Sequence, residues 1–283
     1  MTSKVAPIKL VRWEKDQFIT ASDLLATEEP MEIRLGYGEM DNRLEKTIAV
    51  TMRTPGNDFD LALGFLFTEG IVHSYESILS VKYCSDHGKE ESKNNIVRVE
   101  LRPEVVPDLN LSERNFYTTS SCGICGKASI DNIKTVCQFD ENTNQSEQLK
   151  VSAKTIASLP EKLKTKQLIF EHTGGLHSSV LFDLNGTLTS LYEDVGRHNA
   201  LDKIIGWALQ KGQLPLKNNI LLVSGRTSFE LIQKAYMAGI QIVVAIGAPS
   251  SLAVDFANEI GITLVGFTKK DRFNVYSNPN RIV

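Results

Sequence analysis

The sequence predicts an α/β protein, with an α/β domain over residues 116–283 and a smaller β-rich α+β unit over residues 1–115. Three observations predict it. From Val151 onward, helical patterns alternate with short apolar runs, which is the signature of a partly parallel sheet with helices on its faces. Gly212, Gly239 and Gly261 stand where those helices should stop. Before Pro103 the apolar residues mostly alternate, and one run alone has helical length.

Residues 1–30 open with apolar Val5, Ile8, Leu10 and Val11 and end in an expected acidic turn, Glu28-Glu29-Pro30. Met31–Tyr37 and Leu44–Arg53 read as strands. After the turn Arg53-Thr54-Pro55-Gly56, Asn57 or Asp58 can cap a helix containing Leu61, Leu63, Phe65, Leu66 and Phe67, closed by Gly70. Strands follow near Ile78–Tyr83 and Asn95–Leu101, with a polar loop, Ser85–Asn94, between them. Pro103–Arg114 holds two prolines and several charges and marks the domain boundary.

In the second half, helices are expected near Ser152–Lys164, His198–Gln210, Ser228–Ala238 and Ser251–Glu259. Strands are expected at Gln167–Glu171, Ile220–Val223, Ile242–Ile246 and Ile262–Val265. Ser179–Leu184 and Thr187–Tyr192 flank Asn185-Gly186, a pair that favours a two-residue type I′ hairpin. Thr227-x-x-Glu230 fits a capping box.

The 283 residues are 42% hydrophobic and 23% charged, and the net charge is -3. That balance gives no reason to expect wholesale nucleic-acid binding. No apolar run is long enough to cross a bilayer, and Met1–Lys15 has no signal-peptide core. A cytoplasmic protein is expected, and there four cysteines argue for working thiols rather than a disulfide framework.

The most chemical stretch is Ser120-Ser121-Cys122-Gly123-Ile124-Cys125-Gly126. An expected helix, Lys127–Cys137, follows it, so the cysteines lie on a loop that opens a helix. Free N–H groups and the positive end of the helix dipole favour an anion there, and a thiolate is the nucleophilic form of cysteine. A C-x-x-C pair serves half a zinc site, a dithiol redox couple or a sulfur relay; two idle loop cysteines are the plain alternative.

Three further stretches stand at strand-to-helix junctions: Tyr192–Asn199, Val223–Ser228 and Ile246–Ser251. Ligands of α/β sheets bind beyond the carboxyl ends of strands, and helix N-termini there suit phosphate. Arg197 and Arg226 add guanidinium forks, and Ser224, Thr227, Ser250 and Ser251 add hydroxyls. Asp194 can accept from a guanine-like amide or from Arg197. The plainer readings are helix caps for the hydroxyls and a structural ion pair for Asp194 with Arg197. His177, after the diglycine Gly174-Gly175, is a general acid/base or a histidine hydrogen-bonded at a turn. Gly266–Arg272 leaves a buried strand for a basic loop, either solvated surface or a phosphate clamp. Neither G-x-G-x-x-G nor G-x-x-x-x-G-K-[ST] occurs.

Taken together and in order, the C-x-x-C loop, Gly174–His177, Glu193–Lys203, Ser224–Ser228 and Ala248–Ala253 resemble the FdhD family, sulfur-carrier accessory proteins of formate dehydrogenase. The resemblance runs from about Met31 to the C-terminus. It implies that Cys122 takes sulfane sulfur from a cysteine desulfurase as a persulfide, with Cys125 as its partner. The sulfur would pass to the molybdenum bis(molybdopterin guanine dinucleotide) cofactor, bound as a substrate, for formate dehydrogenase. It further implies that Phe267, Thr268, Lys269, Lys270, Asp271 and Arg272 match the cofactor-binding stretch, that GDP-like ligands can occupy the site, and that no intrinsic metal is needed. A cytidine-deaminase-like three-layer α/β/α domain and a homodimer are implied as well.

Two other classes compete. A deaminase-type zinc hydrolase needs H-x-E and P-C-x-x-C, which are absent. A non-catalytic cofactor chaperone, or a structural zinc site that adds Cys84 or Cys137 to the pair, would need no persulfide.

Overall fold

The computed structural model describes residues 3–84, 94–109, 149–167 and 173–283. Cys122, Cys125, the helix expected at 127–137, nearly all of the 85–94 loop, most of the strand expected at 167–171 and the proposed boundary near residue 115 lie outside these ranges.

The chain opens with an antiparallel ribbon, β1 (Val5–Glu14) and β2 (Gln17–Ala26), joined by Lys15-Asp16. Both turn residues have positive φ, 51° and 61°, as a type I′ turn requires. The ribbon forms a sheet of its own and leaves Val11, Trp13 and Phe18 exposed.

A four-stranded sheet follows, ordered β4-β3-β6-β5, from β3 (Glu29–Tyr37), β4 (Leu44–Arg53), β5 (Ile78–Cys84) and β6 (Ile96–Leu101). The acidic turn expected at Glu28–Pro30 is not formed: Glu29 and Pro30 already pair with Arg53 and Met52. Proline is tolerated near the start of such a strand, where a ladder donor is dispensable. One face presents Met31, Ile33 and Leu35 to the core. The other carries an ion ladder in which Arg34 meets Glu32 and Glu45, Arg98 meets Glu45 and Glu100, and Arg43 meets Glu100.

Helix α1 (Asp58–Thr68) crosses the apolar face of this sheet and ends at Gly70, whose φ is +73°. Asn57 occupies the cap position in the left-handed region; its side chain makes no cap bond to the helix backbone but donates to Asp60 Oδ2 at 3.4 Å, while Asp58 accepts from the Gly56 N–H at 3.0 Å. A helix apolar nearly all round has to be covered on both sides. Its second cover is α3 (Arg197–Gln210), itself largely buried.

The second half is a six-stranded sheet in the order β12-β11-β10-β9-β7-β8. The central strands β9 (Asn219–Val223), β10 (Ile242–Ala245) and β11 (Thr263–Lys269) run parallel. The hairpin β7 (His177–Asp183) and β8 (Leu188–Asp194) joins antiparallel to β9, and β12 (Arg272–Ser277) joins antiparallel to β11. Helix α2 (Ala153–Lys164), capped by Ser152 accepting from the Thr155 N–H at 2.9 Å, covers one face through Ile156, Leu159 and Leu163. Helices α3, α4 (Phe229–Met237) and α5 (Ser251–Glu259) cover the other.

Three sequence expectations change here. The β7–β8 connection is a three-residue loop, because Asp183 N–H bonds Thr187 O and Gly186 N–H bonds Asp183 O, with only Gly186 at positive φ. The Asp183 carboxylate takes the N–H groups of Asn185 and Thr187, which favours a type I turn with a glycine bulge over type I′. Ser228, not Thr227, is the cap residue of α4. The expected basic loop 267–272 is the β11–β12 hairpin, with Lys269 opposite Arg272 and Lys270-Asp271 at the turn.

One apolar core runs from Met31, Leu61 and Val99 through Leu201 and Ile205 to Leu221, Ile232 and Leu264, so the two halves share it. The α1–α3 contact at its centre is backbone against backbone. A Cβ at Gly64 would lie 1.8 Å from the Asp202 carbonyl oxygen, and one at Gly206 would lie 1.9 Å from that of Asp60. Beside it Lys234 of α4 reaches Asp202 at 3.0 Å, Thr68 Oγ1 at 2.8 Å and Glu69 at 3.5 Å. Burial works against the charge of Lys234, yet Asp202 and Glu69 outweigh it and hold its pKa above the usual lysine value.

Gly206→Ala should lower unfolding stability by about 3 kcal/mol, because helix backbones rather than flexible side chains must yield. Lys234→Ala should cost about 3–5 kcal/mol by stranding Asp202 in the interior. Denaturant unfolding measures both, and wild-type midpoints would contradict this account of the helix contact.

Candidate functional site

The junctions singled out in the sequence meet at one end of the six-stranded sheet. Strands β9 and β10 both end there, so the loops that follow them, 224–228 and 246–250, lie side by side. The loops are joined through their backbones: Gly247 N–H to Gly225 O at 3.3 Å, Thr227 N–H to Ala248 O at 3.0 Å and Ser250 N–H to Thr227 O at 2.9 Å. Phe267 N–H extends the array to Gly247 O at 3.0 Å. Gly247 allows this closeness, since a Cβ there would stand 2.8 Å from Gly225 O.

On the antiparallel side, His177 pairs with Asp194 across β7 and β8. Asp194 is fully buried. Its Oδ1 accepts from Gly196 N–H at 2.8 Å and Asn199 Nδ2 at 3.0 Å, and its Oδ2 from Thr54 N–H at 3.1 Å and Lys203 Nζ at 2.7 Å. The ion pair is therefore with Lys203, not Arg197, and the carboxylate is enclosed rather than turned to a ligand. Burial pulls the Lys203 pKa below the usual lysine value while Asp194 opposes the shift. Lys203 also donates to Thr54 O at 3.0 Å, so this pair ties the β4–α1 loop to the start of α3.

Arg197 opens α3 and Arg226 sits exposed on the β9–α4 loop. Among the described residues neither has an ion-pair partner, and Arg197 Nε is buried without a hydrogen bond. A Cβ at Gly225 would lie 3.1 Å from His177 Nδ1 and 4.0 Å from Arg197 Cδ, which places all three together. Burial and the charge of Arg197 hold the His177 pKa below the usual histidine value; Asp194 opposes and Arg226 adds to the depression. The His177 ring thus favours its neutral form, beside two guanidinium groups that, among the described residues, have no carboxylate within ion-pair distance.

The remaining sequence-predicted residues divide. Ser250 caps α5 by accepting from Ala253 N–H at 3.3 Å, the plainer role weighed for it, whereas Ser224 caps no helix: its Oγ accepts from Ser178 N–H of β7 at 2.8 Å. Thr268 is 1% exposed, and among the described residues neither its hydroxyl nor that of buried Thr227 has a hydrogen-bond partner. Phe267 is half exposed with φ +51°, a left-handed conformation that is costly for a bulky residue and typical of functional segments. Lys269, Lys270, Asp271 and Arg272 are exposed on the hairpin. Cys122 and Cys125 lie outside the described residues. Lys203 and Thr54, which hold the site together, were not singled out on chemical grounds. The one local signal was the charged pair Asp202-Lys203 inside an otherwise apolar helix face.

Chemically, this is a place for an anion: two guanidinium forks without an ion-pair partner among the described residues, an imidazole that favours its neutral form, and the amino ends of α3 and α4. Among the described residues no group of three or more His, Cys, Asp or Glu side chains could hold a metal ion, and no helix is long and apolar enough to cross a membrane.

Comparison with known proteins agrees along nearly the whole chain. The model of the FdhD/NarQ family matches residues 26–283. The sulfur carrier protein FdhD of Mycolicibacterium paratuberculosis is 47% identical over 268 residues, 94% of each chain. Its counterpart from Streptomyces avermitilis is 48% identical over 276 residues, covering 97% of this chain and 94% of that one. The one from Sulfurisphaera tokodaii is 40% identical over 281 residues, covering 99% and 100%. Among solved structures, a candidate formate dehydrogenase accessory protein from Desulfotalea psychrophila superposes with a TM-score of 0.74 at 23% identity, covering 99% of this chain and 100% of its own. That likeness gives the same mixed α/β fold. With so much of its length and nearly half of its residues shared, the chain belongs to the FdhD/NarQ family.

Proposed function

We propose that this protein is a sulfur carrier that takes sulfane sulfur onto Cys122 from a cysteine desulfurase and delivers it to the molybdenum bis(molybdopterin guanine dinucleotide) cofactor needed by formate dehydrogenase. The observation that carries this reading is near-full-length identity of up to 48% to proteins named sulfur carriers, in a chain that holds Cys122-Gly123-Ile124-Cys125. The strand-end cluster supports it from the ligand side. Arg197, Arg226 and the helix ends would seat the phosphates of such a cofactor, and the exposed Phe267 ring is available to its planar groups.

The chemistry at sulfur is exchange. The Cys122 thiolate attacks the outer sulfur of the donor's persulfide; that S–S bond breaks, the donor cysteine leaves as thiolate, and a persulfide stands on Cys122. In the second step the Cys125 thiolate can attack Cys122 Sγ, forming a Cys122–Cys125 disulfide and expelling hydrosulfide toward the acceptor. The bound cofactor is the substrate that receives the sulfur. The residues of this chain orient it and hold its charge.

Incubation with a cysteine desulfurase and cysteine should add the mass of one sulfur atom. The gain should be lost on reduction and absent from Cys122→Ala. A Cys122→Ala protein that still fully activates formate dehydrogenase would instead establish a cofactor chaperone without sulfur chemistry.

For the ligand seat, Arg226→Ala should weaken binding of GDP by about tenfold or more, the range for losing one charge-assisted contact to phosphate, with the unfolding midpoint unchanged. Wild-type affinity in calorimetry would remove Arg226 from the seat.

A further inference from the structure

The two arginines come from separate segments, and something has to set their separation. Arg197 follows β8 and Arg226 follows β9. Among the described residues, a single side-chain hydrogen bond joins the first turn of α3 to the cap of α4: His198 Nε2 lies 3.3 Å from Ser228 Oγ. His198 is the neighbour of Arg197, and Ser228 stands two residues after Arg226. The Glu230 carboxylate, in the first turn of α4, lies close enough to Ser228 to interact with it electrostatically.

The donor order follows from the chemistry of the groups. Burial favours the neutral acid at Glu230, but the hydrogen bonds from Ser228 and from its own backbone N–H, with the nearby His198 and Arg197, hold its pKa below the usual carboxylate value. An ionised carboxylate only accepts, so the Ser228 hydroxyl turns its proton toward it. The serine oxygen is then left to accept from His198 Nε2–H. His198 is neutral: burial, Lys234, Arg197 and His177 push its pKa down to about 4 against the pull of Glu230. A neutral imidazole can stand beside Arg197 without repelling it.

We propose that Glu230, Ser228 and His198 form a clamp that fixes the span between Arg197 and Arg226, so that the arginine pair selects an anion with two linked phosphates over one with a single phosphate. The proposal rests on the anion-seat reading above. None of the three is assigned contact with the ligand; they are positioning residues that act through the arginines. One guanidinium fork satisfies one phosphate, so a fixed pair of forks on two loops discriminates by the distance between phosphates. If the loops could drift apart, each fork would still bind one phosphate, but the bonus for the linked pair would go.

Calorimetric titration of the full chain with inorganic pyrophosphate and with inorganic phosphate tests this. The wild type should favour pyrophosphate. His198→Leu should cut that preference by about tenfold, a fold-change of the size expected for one lost hydrogen bond, while its affinity for inorganic phosphate stays within about twofold. His198→Gln, whose amide N–H can still donate to Ser228, should restore the preference, and a merely space-filling role would not produce that rescue. Ser228→Ala should reproduce the loss and serves if His198→Leu fails to fold. Unchanged discrimination in folded His198→Leu or Ser228→Ala, or a glutamine variant no better than leucine, overturns the clamp and leaves the anion seat standing. A wild type that binds neither probe overturns both.

Discussion

A carboxylate cut off from water must be surrounded by donors or lose its charge. Asp194 is surrounded, and the identity of its donors explains why the molecule holds together where it does. One donor belongs to the β4–α1 loop, one to the turn before α3, and two to α3 itself. The same four bonds that satisfy a buried charge therefore bring the first half of the chain to the end of the second sheet. His177 sits across the strand pair from this carboxylate, and Arg197 follows three residues after it. The reactive-looking surface is thus the outer shell of a structural knot. Among the described residues Arg197 and Arg226 have no ion-pair partner, and the Asp194 carboxylate is already committed to Lys203.

Below that knot the architecture depends on two absent side chains. Helix α1 lies between a four-stranded sheet and α3, and without Cβ atoms at Gly64 and Gly206 the helices meet through their backbones. Such closeness leaves little room for sliding, which suits a core shared by both halves. The Lys234–Asp202–Thr68 network then links α4 to the same pair of helices. Charge buried in this way adds little net stability compared with apolar packing, but it is intolerant of alternatives.

Much of the fold was legible in the sequence because it is written in local periodicity. The helix 58–68, the helix that begins at about Ser152 and the strand–helix alternation after Val151 all follow from apolar spacing and stop residues within a few positions of one another. What was not legible depends on groups far apart in the chain or on competition within a turn. Asn185-Gly186 looked like a two-residue turn until Asp183 captured two of its N–H groups. Strand β12 was hidden because the basic run 269–272 resembles solvated loop, whereas its pairing is dictated by β11. For the site, Arg197, Arg226, His177 and Asp194 were all visible as unusual residues at strand ends. The partner of Asp194 was not, since Lys203 lies nine positions away and Thr54 more than a hundred. Only tertiary packing could make that choice.

The terminal ribbon has a practical corollary. The chain has two tryptophans, and they inhabit different worlds. Trp13 lies beside the tip of the β1–β2 ribbon and is 61% exposed, whereas Trp207 is packed against the core from α3. Ten residues of strand extend roughly 34 Å, and the first indole sits next to the far end of that arm. Intrinsic fluorescence is therefore a two-channel signal. A small aqueous quencher reads the arm, the red shift on melting reads the body, and a Trp13→Phe protein separates them.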